Sequence, residues 1–107
     1  MIINHIILPE ELIEWIESGK EFQLIDITDD NLLKNLQIQS NWIPAHMLIG
    51  RISELEKNIP VIISCRVGAD SFIFMNILSS EYQVNNVLSL KSGYIGLEKL
   101  MNNTNYE

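Results

Sequence analysis

Three apolar residues in succession, Val61, Ile62 and Ile63, stand behind Pro60 and lead to Ser64 and the only cysteine of the chain, Cys65. A strand with one wet face alternates apolar and polar residues, whereas a run without alternation fits a strand buried on both faces. Such a strand needs helices above and below its sheet, which is an α/β layout. From Phe72 to Leu78 the chain is apolar again, now followed by polar residues at helix length. The six residues Cys65, Arg66, Val67, Gly68, Ala69 and Asp70 therefore bridge a strand end and a helix start. A loop so placed can turn several backbone N–H groups toward one point, and the helix N-terminus adds partial positive charge, so an anion is favoured there. A thiolate is such an anion. Gly68 lets the loop take a conformation that side chains disfavour. Arg66 sets a fixed charge beside the sulfur, and together with the helix dipole it is expected to raise the thiolate fraction at neutral pH. The same pattern, a lone cysteine after three apolar residues, also suits an inert core residue.

A chain of 107 residues is long enough for one domain with a real core and too short for two. Hydrophobic residues at 47% and charged residues at 20% mark a globular chain rather than a disordered one. Seven basic against fourteen acidic residues leave a net charge of -7, which argues against nucleic acid or an anionic membrane as partner. One cysteine excludes an internal disulfide and a cysteine-rich zinc site, and with His5 and His46 the only histidines, no metal site is expected. The opening stretch through Leu8 lacks a basic start and soon meets Pro9 and several glutamates. Neither a signal peptide nor a membrane span is expected from it, and a cytoplasmic protein is the plain expectation.

Taken in order, residues 2–7 are rich in β-branched side chains and predict a first strand. Pro9 suits the first turn of a helix, Glu10 and Glu11 complement its dipole, Leu12, Ile13, Trp15 and Ile16 give it an apolar face, and Ser18-Gly19 stops it. Residues 22–27 predict a second strand that carries the carboxylate of Asp26 near its end. Asp29-Asp30-Asn31 offers a cap for a short helix over Leu32, Leu33 and Leu36. The apolar Met47-Leu48-Ile49 reads as a third strand, and residues 51–57 as one or two helical turns. Residues 86–90 predict the last strand, followed by a loop around Lys91-Ser92-Gly93 and a closing helix on Ile95, Leu97, Leu100 and Met101. Strands alternating with helices imply a mainly parallel, five-stranded sheet with helices on both faces. Asp26, Cys65 and Lys91 then fall on one sheet edge and are expected near one another.

Four segments in this order resemble a rhodanese-like domain across residues 1–101, leaving residues 102–107 as a polar tail. Leu24-Ile25-Asp26-Ile27 is similar to the family's leucine-isoleucine-aspartate-valine strand, and Ile43-Pro44-Ala45 lies where the family has isoleucine-proline-glycine-alanine. Cys65 to Ser71 resembles its cysteine-arginine-x-glycine-x-x-serine loop, and Leu90 to Tyr94 its terminal leucine-x-glycine-glycine turn. The resemblance implies a sulfurtransferase: a thiolate takes a sulfane sulfur from a small anionic donor such as thiosulfate, carries it as a persulfide and passes it to a thiol or protein acceptor. Cys65 would be the nucleophile. The amides of Arg66, Val67, Gly68, Ala69, Asp70 and Ser71 would cradle the persulfide. Ser71 would also cap the following helix, and Asp26, Trp42 and Lys91 would border the site. No metal or organic cofactor is called for.

The departures from the family fall close to the same site. Thr28 stands where family members usually have arginine, Trp42 where they have histidine, and Ser92 where they have the first glycine of the terminal pair. Asp70 puts a carboxylate on the anion loop, which opposes turnover if it points inward and costs little if it points outward or pairs with Arg66. A catalytically weak binding or regulatory module, with Phe72-Ile73-Phe74-Met75 as contact surface, is therefore the alternative. A cysteine-dependent phosphatase or arsenate reductase needs an arginine six residues after the cysteine to grip its oxyanion, and that position is Ser71.

Overall fold

The structure is a computed structural model and describes residues 5–104. Five strands form one sheet: β1 (Ile6–Ile7), β2 (Gln23–Asp26), β3 (Asn41–Trp42), β4 (Val61–Ser64) and β5 (Val87–Leu90). Their order is β1-β5-β4-β2-β3, and every pairing is parallel. The unalternating run occupies the centre. Val61, Ile62, Ile63 and Ser64 are all fully buried, as a strand covered on both faces requires.

Four α-helices cover the sheet: α1 (Pro9–Ser18), α2 (Ala45–Leu48), α3 (Ala69–Tyr82) and α4 (Gly93–Thr104). The period of two along each strand divides the core. Ile25, Ile27, Val61, Ile63, Cys65 and Val87 pack on one face with Leu48 of α2 and with Met75 and Leu78 of α3. Leu24, Ile62 and Leu90 pack on the other with Leu12 of α1 and with Tyr94 and Leu97 of α4. Helix α1 starts on Pro9, ties the Leu8 amide to Glu11 Oε1 at 2.9 Å and stops at Gly19, as its residues dictate.

Several local expectations are corrected. Residues 47–49 are helical: α2 ends at Leu48 and a 3-10 helix, Ile49–Glu54, follows. Only Leu48 of the three is fully buried while Met47 is 42% exposed, a one-sided pattern that a helix satisfies and a central strand does not. The third strand is Asn41–Trp42, an exposed edge pair in register with Ile25 and Asp26, too short and polar to leave an apolar signature. The turn at Leu32–Leu36 is 3-10, and Asn31 precedes it in a left-handed conformation without a side-chain cap. Helix α4 runs to Thr104, three residues into the stretch read as tail. Of the expected first strand, residues 2–4 lie outside the described residues.

Candidate functional site

Strand β4 delivers Cys65 to the C-terminal edge of the sheet, and α3 begins four residues later. The tight return is possible because Gly68 adopts φ 101°, where a Cβ would also stand 2.9 Å from the Ser92 backbone nitrogen. The loop's outer wall is fixed from α4. Tyr94 N donates to the Cys65 carbonyl at 2.8 Å and Ile95 N to the Arg66 carbonyl at 3.0 Å. Residue 93 must be glycine for this contact, since a Cβ there would overlap the Cys65 carbonyl oxygen and lie 2.8 Å from the Arg66 carbonyl carbon.

With the carbonyls turned outward, the amides turn inward. Gly68 N donates to Cys65 Sγ at 3.0 Å and Ser71 N donates to it at 3.3 Å. Ser71 Oγ lies 3.4 Å from the same sulfur, 3.3 Å from the Gly68 carbonyl oxygen and 2.7 Å from Ser89 Oγ. Two amides, one hydroxyl and the first turn of a fourteen-residue helix thus meet at one sulfur. Cys65 is 5% exposed and packs in the core at the sheet's C-terminal edge.

Not every residue of the loop serves the sulfur. Arg66 and Val67 are exposed, and the Arg66 guanidinium pairs with Asp30 at 2.9 Å. Ala69 and Asp70 open α3 on its exposed side, so the carboxylate faces solvent and complements the helix dipole. Ser71 is not the N-cap expected of it. Gly68 holds that position without a side-chain cap, and the Ser71 hydroxyl turns back toward the Gly68 carbonyl.

Asp26 reaches the same sheet edge but the opposite face. In register with Ser64, it points away from the α3 face on which Cys65 lies. Its carboxylate accepts from Thr28 N at 2.9 Å, Thr28 Oγ1 at 2.7 Å and Leu33 N at 2.8 Å, which fixes the loop after β2. Trp42 Nε1 donates to the Thr28 carbonyl at 2.7 Å and braces that loop from β3. Lys91 is exposed and its amide binds the Ile7 carbonyl. The expected proximity of Asp26, Cys65 and Lys91 therefore holds for the edge, while no hydrogen bond joins the three side chains.

Ser89 takes part without having been named from sequence, while Gly93 was read only as part of the terminal turn and Asp30 only as part of a helix cap. Ser89 carried a usable signal: it is a hydroxyl inside an otherwise apolar strand, as anomalous as Asp26 in β2. Depressions of about 590 Å³ lie at the opposite edge of the sheet, one beside Phe22, Gln23 and Asn41 and another beside Leu55, Val84 and Asn86. Neither reaches the loop. No group of three metal-ligating side chains occurs among the described residues, and no helix among them is long and apolar enough to cross a membrane.

No protein-family model matches the chain, and no curated protein matches it in sequence. Solved structures do match. A rhodanese-related protein from Thermoplasma volcanium superposes with TM-score 0.72 at 22% identity, covering 89% of this chain and 92% of that one. A rhodanese-like domain protein from Staphylococcus aureus gives TM-score 0.74 at 20% identity, with 89% and 91% covered. A Rhodopseudomonas palustris protein described as a possible tyrosine phosphatase gives 0.76 at 14% identity, with 92% and 82% covered.

Proposed function

We propose that this chain, which has the fold of rhodanese-like domains, is a small sulfurtransferase that carries sulfane sulfur on Cys65. The observation that carries the reading is the convergence of the Gly68 and Ser71 amides on Sγ at 3.0 and 3.3 Å. Donors so placed stabilise an attacking thiolate and then the charged terminal sulfur that replaces it. The Cys65 thiolate attacks the outer sulfur of thiosulfate. A sulfur–sulfur bond forms to Sγ, the donor's own sulfur–sulfur bond breaks, and sulfite leaves with the bonding pair. The persulfide keeps one negative charge. An acceptor thiolate then attacks the terminal sulfur, leaves as its own persulfide and returns Cys65 as thiolate. Arg66 stands at the loop's mouth paired with Asp30, so an anionic donor meets its guanidinium only in exchange for that carboxylate, and nothing in the scheme requires a metal or organic cofactor.

Two competing readings are separated by the same experiment. Of the run expected as a contact surface, Met75 is buried and Phe74 packs on the core, but Phe72 at 42% and Ile73 at 54% are exposed beside Val67 at 60%, an apolar surface that favours a regulatory module binding another protein. The phosphatase reading lacks its oxyanion-gripping arginine, since residue 71 is serine and buried. Sulfite release from thiosulfate in the presence of a small thiol is expected to scale with protein and vanish in Cys65→Ser. Silence with thiosulfate and every other sulfur donor favours the module, and Cys65-dependent hydrolysis of an aryl phosphate favours the phosphatase.

A further inference from the structure

Ser89 sits on β5 in lateral register with Ile63, on the sheet face that carries Cys65, and is 2% exposed. Its hydroxyl has one hydrogen-bond partner among the described residues, Ser71 Oγ at 2.7 Å. A buried O–H needs an acceptor, so Ser89 donates and Ser71 accepts. The proton of Ser71 is then left with two possible acceptors, the Gly68 carbonyl oxygen at 3.3 Å and the Cys65 sulfur at 3.4 Å. While the sulfur is protonated, its S–H donates to Ser71, and Ser71 donates to Gly68. Once the sulfur is charged, Ser71 turns its proton to it and becomes a third donor beside the Gly68 and Ser71 amides. Donation from Ser89 both bars Ser71 from spending its proton on β5 and polarises its O–H.

The geometry points to Ser89 as a positioning residue that holds the Ser71 hydroxyl available to the charged sulfur. The inference rests on the reading of Cys65 as a working thiolate, and its test avoids any sulfur substrate. The measurement is the rate at which iodoacetamide alkylates Cys65 at pH 7. Ser71→Ala is expected to slow it roughly tenfold and Ser89→Ala roughly threefold, the scale of losing or weakening one hydrogen bond to a charged group. The double variant should react at the rate of Ser71→Ala alone, because Ser89 acts only through Ser71. A purely structural role would instead slow the double variant further and lower the melting temperature in step. Should Ser89→Ala fail to fold, Ser89→Thr keeps the hydroxyl, and its retaining the wild-type rate supports the assignment. An unchanged rate in Ser89→Ala, multiplicative losses in the double variant, or a Ser89→Thr rate as low as that of Ser71→Ala overturns it. Lost sulfite release with this pattern intact overturns only the sulfur-transfer reading, whereas intact sulfite release without the pattern overturns only the role of Ser89.

Discussion

Asp70 opens the first turn of α3 from an exposed position, and the nearest arginine in sequence, Arg66, is committed to Asp30 rather than to it. Its charge is thus left to oppose both the anionic sulfur and an anionic donor, but through water. A like charge in that setting is worth on the order of 1 kcal/mol or less. Asp70→Asn is therefore expected to raise sulfite release at low donor concentration by about two- to fivefold, with the gain shrinking as salt is added. A gain of two orders of magnitude, or one indifferent to salt, would mean that the carboxylate faces the sulfur. The loop's residue types and spacing already singled out the sulfur, its glycine and the amide cradle. What they left open was parity. Asp26 and Cys65 end neighbouring strands, yet one points to the α4 face and the other to the α3 face, a distinction that appears only once Asp26 is in register with Ser64.

Helix α4 shows how a departure from a family pattern is accommodated within one element. Ser92 takes φ 65°, a left-handed conformation in which glycine would be unstrained. Its Cβ also lies over Gly96, one turn along, so a Cβ added at residue 96 would overlap it. Glycine inside a helix ordinarily costs about 1 kcal/mol relative to alanine, and here the serine accounts for it. Gly96→Ala alone is thus expected to lower the urea midpoint, whereas Gly96→Ala in a Ser92→Gly background should raise it above that of Ser92→Gly. Additive effects in this cycle would mean that Ser92 and Gly96 do not interact. Helices with a capping pattern or a long apolar run were legible in sequence. The strand at residues 41–42 was not, because its pairing comes from the backbone of β2 and its side chains are exposed. Apolar content alone could not separate helix from strand at residues 47–49, where burial is one-sided.

Across the molecule the strands all point one way, so the proposed site lies at their C-terminal ends and the depressions of about 590 Å³ at their N-terminal ends. The packing that joins α4 to the sheet also ties stability to alkaline pH. Burial is the main cause that raises the Tyr94 phenol above its ordinary value of 10.0; a hydrogen bond with Asn35 opposes it and Glu98 adds to it. An acid whose pKa rises on folding stabilises the fold fully below its ordinary value and loses that contribution as pH climbs through the raised one. The urea midpoint should accordingly fall as pH passes above 10, and Tyr94→Phe should flatten that fall. Parallel declines in the two proteins would place the titrating group elsewhere. The unalternating run at residues 61–63 made the two-sided α/β architecture legible at this scale, while strand order followed from pairings that no local pattern encodes.

The claim on which the rest depends is that the Cys65 sulfur, held by the amides of Gly68 and Ser71, accepts and keeps a second sulfur. Intact mass after incubation with thiosulfate and removal of excess donor tests this most directly. One added sulfur on the whole chain is expected, released by a small thiol and missing from Cys65→Ser. An unchanged mass with every sulfur donor, or an adduct that survives in Cys65→Ser, would contradict it.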